Sequence, residues 1–355
     1  MMTKGDIVSQ RLHNQHISES AHGDPASIVA ALTAMQAQEF PMAKWAIGLR
    51  LPGINEEKIE ADFNQGAFLR THMLRPTWHF VTPKDIQWVL KLTSPNIHAF
   101  NGYYYRQAAL SPSDFKKATR IFEKTLAGEN FLSRANLQSI LEKNKIKADG
   151  LRLGLIFMFA ELEGLICSGP RIGKQFTYAL LEERIKGSIA FNPKQPLDEL
   201  TRRYFSTRGP ATIQDYIWWS GLKATQAREG VDRLKKEFKN EKIAGREYIY
   251  LPANRSKQEN ILSCFLLPDY DEYGISYKNR EAYNRENSEK EFSSIDPRFK
   301  QWLIVDGLIG GKWRRVLQKG KWIAEAQCFS SLNKNQRKAV INAIDRYDAF
   351  TLNAK

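Results

Sequence analysis

Two glutamines, Gln36 and Gln38, are the first place in this 355-residue chain where side chains could do chemistry. An amide cannot act as a real general base. Its carbonyl can orient a water and put partial negative charge near a developing cation. Gln36 ends an apolar stripe of Ile28, Val29, Leu32 and Met35, so it either lines a site or satisfies a buried backbone group at a helix end. A second group follows in residues 68–81. Arg70 and Arg75 are candidate phosphate contacts or plain solvated charges, and Thr77 and His79 share one face of a strand. His79 is either a binding contact or a strand histidine bonded to a neighbouring loop. Asp269, Asp271 and Glu272 form a dense acidic group that could hold a metal or do acid–base work. No histidine stands at ligand spacing, so a turn braced by ion pairs, with Arg280 as a partner, is preferred, and no metal or cofactor is expected. Lys312, Arg314 and Arg315, in a glycine-led segment with Trp313, are read as phosphate contacts in preference to a plain solvated face. Lys223, Arg228, Arg233, Lys235 and Lys236 make a basic helix for which phosphate contact and simple solvation are both open. Of the adjacent Trp218 and Trp219, at least one belongs in a core, because neighbours on a helix diverge.

The elements that carry these residues repeat. Residues 24–40 predict one helix, capped by Asp24 with Pro25 in its first turn and closed by Pro41. On an intact helix Gln36 and Gln38 point apart, and they share a site only if the helix ends between them. Helices at 7–17 and 56–65 flank it, and strands at 68–74 and 77–81 follow. Helices at 113–127, 133–144 and 151–165 precede a strand pair around Gly169-Pro170. A Thr212/Asp215 capping box, a basic helix and a hairpin at 243–251 form a third set. After Pro252 come short β-rich runs, beginning with 261–268. A polar surface loop at 279–297 interrupts them, and a helix at 334–347 closes the chain.

The expected fold is therefore α+β: three tandem winged-helix units and a C-terminal β-rich domain, C-shaped around a basic cleft. The expected boundaries are 1–98, 99–192, 193–252 and 253–355. A formal net charge of +14 favours a polyanionic partner. Three cysteines without metal spacing, a polar start and no long apolar run predict a cytoplasmic, nucleoid-associated protein without a membrane span.

Five segments in order resemble the winged-helix DNA glycosylases typified by AlkZ and YcaQ. They are MQAQEFPMAKWAIGLR, RTHMLRPTWHFV, RGPATIQDYIWWSGL, LLPDYDEYGISYKNR and IVDGLIGGKWRR. His72 and Pro76 stand where that family is expected to have tryptophan and glycine, which predicts a differently shaped first hairpin. The resemblance covers nearly the whole chain. It implies a monofunctional, cofactor-free enzyme that excises alkylated purines, including bulky adducts and crosslinks, from double-stranded DNA as a monomer. It also implies that Gln36 and Gln38 position the water, with Arg70, Arg75, Thr77, His79, Lys312, Arg314 and Arg315 on the DNA. The competing readings are a non-catalytic winged-helix regulator and a protein-interaction array.

Overall fold

The computed structural model describes residues 2–252, 263–285 and 288–352. Local signals set most of its elements. Thr3 caps Lys4–Asn14 (α1) and Asp24 caps Pro25–Leu32 (α2), each side chain accepting the N–H three residues on. The second helix does not run to Phe40. Thr33, with φ 66° and ψ −53°, makes a γ-turn in which the Ala34 N–H donates to the Leu32 carbonyl at 2.7 Å. Met35–Gln36 (β1) is a two-residue strand, and Pro41 opens a further helix, Phe40–Gly48 (α3), instead of closing the previous one. Glu56–Gln65 (α4) keeps its predicted bounds, between an Asn55 cap and a left-handed Gly66. Leu69–Met73 (β2) and Thr77–Val81 (β3) form the expected hairpin, and β1 joins its edge to give the order β1-β3-β2.

Ile86–Gln107 (α5) is a long helix containing Pro95, and it runs straight through the boundary expected at residue 98. It leads to Pro112–Leu126 (α6), Leu132–Ser133 (β4), Arg134–Lys143 (α7), Gly150–Leu162 (α8), Ile166–Ser168 (β5), Thr177–Leu180 (β6) and the short Leu181–Arg184 (α9). Strands β4, β6 and β5 make the second sheet. Pro196–Arg208 (α10), Ile213–Ser220 (α11) and Ala224–Arg233 (α12) precede the hairpin Lys239–Ile243 (β7) and Arg246–Tyr250 (β8). The last part holds Cys264–Leu266 (β9), Glu272–Ile275 (α13), Ser288–Ser293 (α14), Gln301–Val305 (β10), Leu308–Gln318 (β11), Lys321–Cys328 (β12) and Lys334–Thr351 (α15). Its antiparallel sheet turns at Asp306-Gly307 and Lys319-Gly320, pairs whose φ angles of 52°, 78°, 50° and 79° suit two-residue hairpin loops. Ile261 and Leu262 of the predicted strand lie outside the described residues. The segment expected as a surface loop holds α14, and it buries Tyr283 completely.

Two cores result. Residues 110–180 bury Phe122, Leu137 and Phe157 among themselves. The first, third and C-terminal parts share one larger core, which includes Phe63, Trp219, Leu266 and Trp313. Trp45 and Trp313 donate their indole N–H groups to the Leu266 and Leu267 carbonyls, both at 2.7 Å, and so tie α3 to the C-terminal sheet. No helix among the described residues is long and apolar enough to cross a membrane.

The first and third parts meet at Gly221, which ends α11 at φ 68°. A β-carbon there would sit 2.0 Å from the Leu74 carbonyl oxygen. Gly221→Ala is therefore expected to cost at least about 2 kcal/mol in chemical denaturation, from strain plus overlap. Gly53→Ala, at φ 86° but with open space around it, should cost about 1 kcal/mol. Equal costs for the two would contradict the close approach.

Candidate active site

The stretch carrying Gln36 owes its course to partners far along the chain. The Ala34 carbonyl accepts from Arg208 Nη2 at 3.0 Å, and the Gln36 N–H donates to Glu272 Oε1 at 2.9 Å. The Ala37 N–H donates to the Trp78 carbonyl at 2.7 Å, and the Ala37 carbonyl accepts from Arg70 Nε at 2.9 Å. Four elements thus satisfy the backbone groups that a continuing helix would have bonded internally. They hold the Thr33 turn, a conformation costing on the order of 1–3 kcal/mol for a non-glycine residue.

Glu272 is fully buried. Its Oε2 accepts from Arg208 at 2.8 and 3.1 Å, Trp219 Nε1 at 3.0 Å and Ser276 Oγ at 2.7 Å. Burial alone would raise its carboxyl pKa, but the Arg208 guanidinium and these hydrogen bonds hold it down at about 2. Asp271 takes both ends of the buried Arg50 guanidinium, at 2.8 and 3.0 Å. Two of the three acidic residues, Asp271 and Glu272, are therefore structural braces. Their partners are Arg50 and Arg208, not Arg280, which lies over Trp302. Among the described residues no group of His, Cys, Asp or Glu could hold a metal ion.

Gln36 lies opposite His79 in the sheet, and His79 lies opposite Thr71, so the three side chains share one face. Arg75 Nη2 donates to Gln36 Oε1 at 3.1 Å, which fixes the amide's orientation because a guanidinium only donates. Burial lowers the Arg75 pKa from its usual value. His79 is completely buried, and its Nδ1 meets the Thr77 carbonyl at 2.9 Å, so Nδ1 carries the proton. Burial, then Arg75, push its pKa down to about 3 and keep the ring neutral. The Nε2 lone pair is thus an acceptor, and no group among the described residues uses it. Thr71 Oγ1, Arg75 Nε, Thr77 Oγ1 and Trp78 Nε1 are likewise buried and unpaired. The β2–β3 hairpin, between residues 71 and 79, therefore holds five of the twelve such atoms among the described residues. Gln38 follows Gln36 by two residues, in the bend between β1 and α3, and is half-buried. Because α2 ends before both glutamines, the divergence of an intact helix does not arise.

The other predicted residues are spread more widely. Arg70 is buried on the opposite face of the sheet, between Trp78 and Phe176 at 4.4 and 4.6 Å, where burial lowers its pKa to about 10. Its work is to hold the Ala37 carbonyl, not to reach into solvent. Lys312 lies 5.5 Å from the Phe292 ring, and Arg314 bonds Glu325 at 2.6 and 2.9 Å. Arg315 faces Trp322 at 4.5 Å. Strand alternation puts Lys312 and Arg314 on one side of β11 and Arg315 on the other. Trp219 is the buried member of its pair, while Trp218 is 43% exposed and donates to the Ile275 carbonyl at 3.0 Å. Sequence reasoning missed Arg208 and Thr71, because nothing local marks either one.

Removing the charge at Glu272 leaves Arg208 buried and unpaired. Glu272→Gln is expected to destabilise the protein by about 3 kcal/mol near neutral pH. A carboxyl depressed when folded stabilises fully above its unfolded pKa of about 4.3 and loses that contribution as pH falls towards 2. The denaturation midpoints of wild type and variant should therefore converge between pH 5 and 2. A gap that stays constant with pH would contradict the pairing.

The model of the DNA glycosylase AlkZ-like family matches residues 29–350. An interstrand DNA cross-link repair glycosylase of Streptomyces sahachiroi is 21% identical over 330 residues, 88% of each chain. The solved structure of Streptomyces sahachiroi DNA glycosylase AlkZ superposes with a TM-score of 0.80 at 19% identity, over 98% of this chain and 96% of that one, and so shares its fold. With a family match from the middle of α2 almost to the end of α15, the chain belongs to the AlkZ-like DNA glycosylases, hydrolases of N-glycosyl bonds.

Proposed function

We propose that this DNA repair glycosylase releases alkylated purines from duplex DNA, with Gln36 and Gln38 placing the water that attacks C1′. The observation that carries this reading is the set of unpaired polar atoms beside Gln36. A protein seldom leaves a buried acceptor and a buried hydroxyl, here His79 Nε2 and Thr71 Oγ1, unpartnered on one sheet face. A water bonded to both, and to the free lone pair of Gln36 Oε1, would satisfy them.

The reaction asks for little more. A purine alkylated at N7 or N3 carries positive charge, so the C1′–N bond breaks with its electrons passing to the base. The sugar then becomes an oxocarbenium-like cation. Water, oriented by a hydrogen bond to Gln36 Oε1, adds to C1′ and gives up a proton to His79 Nε2 or to solvent. The amide oxygens of Gln36 and Gln38 add partial negative charge where the cation develops. Arg75 can keep the amide aligned and contact a phosphate beside the cut nucleotide. No lysine stands in the motif to form a Schiff base, which suits a monofunctional enzyme.

In this proposal the three helix-then-hairpin units are winged helices along a C-shaped cleft, and Lys312, Arg314, Arg315 and Thr77 lie towards the DNA. The chain acts as a monomer on nucleoid DNA in the cytoplasm. We extend the cross-link repair named for the Streptomyces relative to this chain. An open cleft suits a base that cannot leave the helix as freely as an ordinary flipped base.

Duplex DNA carrying N7-methylguanine, treated with alkali after incubation, tests the reading. Wild type should give cleavage at the lesion, and Gln36→Ala/Gln38→Ala should lower the rate about 100-fold while keeping its DNA affinity. Cleavage that survives the double substitution would move the site elsewhere. Absence of cleavage on both this duplex and a crosslinked one would refute the activity.

Thr71→Val offers a sharper check, because it removes an unpaired hydroxyl at nearly constant volume. The thermal midpoint should hold or rise, while the single-turnover excision rate falls roughly tenfold. An unchanged rate would dismiss Thr71 from the water site.

A further inference from the structure

A second opening lies next to this site and takes no part in the chemistry described so far. It is a cleft of about 160 Å³ between the segment before α13 and strand β10, lined by Tyr270, Ile275, Arg280, Lys300, Gln301 and Trp302 among others. Three properties point to the kind of group that fits it. First, it offers aromatic surface. The Trp302 ring is half-buried, and Tyr270 is 46% exposed at the rim. Tyr270 also sits at φ 60°, an uncommon conformation for a bulky residue and one found at ligand-holding positions. Second, it carries positive charge. Arg280 lies 5.8 Å from the Trp302 ring centroid, and neither Arg280 nor Lys300 has an ion-pair partner among the described residues. The acidic residues that line the cleft are already engaged: Asp271 with Arg50, and Asp269 as the acceptor of Gln301 Nε2 at 2.7 Å. Third, it holds an unused acceptor. Because Asp269 can only accept, Gln301 must turn its amide nitrogen towards it, and Gln301 Oε1 is left buried and unpaired.

A ring to stack, two cations beside it and one acceptor in the wall match a nucleotide whose base bears an exocyclic amino group. The cleft also adjoins the glutamines. Arg75, bonded to Gln36, lies 5.6 Å from the Trp218 ring, and Trp218 donates to the carbonyl of Ile275, a cleft residue. We propose that the cleft receives one unstacked nucleotide of the substrate DNA, next to the nucleotide whose glycosidic bond is cut. Trp302 and Tyr270 stack its base, Gln301 Oε1 accepts from the amino group, and Arg280 and Lys300 take its phosphate. Cytosine, adenine and guanine satisfy Gln301 through that group, whereas uracil and thymine carry a carbonyl where cytosine carries its amino group. The inference rests on the glycosylase reading only in taking the ligand to be part of a DNA strand.

The full chain, labelled with 15N at its tryptophan indoles, can be titrated with deoxycytidine 5′-monophosphate, deoxyuridine 5′-monophosphate or inorganic phosphate. Trp302→Phe identifies the resonance to follow. The cytidine nucleotide should shift the Trp302 signal saturably in the millimolar range, the uridine nucleotide several-fold more weakly, and phosphate alone not at all. Arg280→Ala, at an exposed side chain, should weaken cytidine nucleotide binding roughly tenfold. A Trp302 signal that ignores the cytidine nucleotide overturns the proposal. So does an equal response to both nucleotides or to phosphate, and so does full affinity in Arg280→Ala. Excision is assayed separately. A chain that excises without binding here loses this inference alone, and a chain that binds here without excising loses the proposed activity and keeps this cleft.

Discussion

The ion pair between Arg208 and Glu272 holds the site together. It is fully buried, and each partner also bonds the backbone of the glutamine stretch, Arg208 at Ala34 and Glu272 at Gln36. Desolvating two charges is costly, so such a pair adds little to stability compared with apolar packing. What it gives here is position. One end belongs to the last turn of α10 and the other to a one-turn helix near the C-terminal sheet, while the groups they fix lie close to the N-terminus. The shared core of the first, third and C-terminal parts provides the dry surroundings in which these contacts are strong.

Around that anchor the structure departs from ordinary economy at closely spaced points. Thr33 sits in a strained turn, and its hydroxyl is buried without a partner. The adjoining hairpin hides further unpaired polar atoms, and His79 is kept neutral far below its usual pKa. A fold optimised only for stability would fill these places with apolar groups. Strain and unmet hydrogen bonding gathered around two amides have the character of a preorganised site, held by structure elsewhere in the chain.

What could be read from the sequence follows from where each decision is made. Helix α4, the Thr212/Asp215 cap and the helix starting at Ser133 depend on residues a few positions apart, and their signals were legible. The end of α2 was not legible, because Arg208 and Glu272 act on it from 174 and 236 positions away, against an apolar stripe that continues through Met35. Pro41 misled for a simpler reason: proline both stops a helix and suits the first turn of the next. Pro95 hid α5 similarly, and packing against α8 and α10 carries that helix past it. In the candidate site, residue types were visible and their partners were not. Gln36, Arg75 and His79 could be chosen by chemistry. That Arg70 faces the other way, and that Glu272 binds Arg208 where Arg280 was the nearer candidate in sequence, needed the fold.

The central claim is that the sugar being hydrolysed sits over the amides at the end of β1. A crystal structure with duplex DNA carrying a cationic 1-aza-sugar, whose ring nitrogen stands where C1′ gains positive charge, tests it most directly. The account predicts that nitrogen within about 3 Å of a Gln36 or Gln38 amide oxygen, or bridged to one by a single water that also meets His79 Nε2. An aza-sugar ring ordered away from both glutamines, with no water on the Gln36 face, would contradict it.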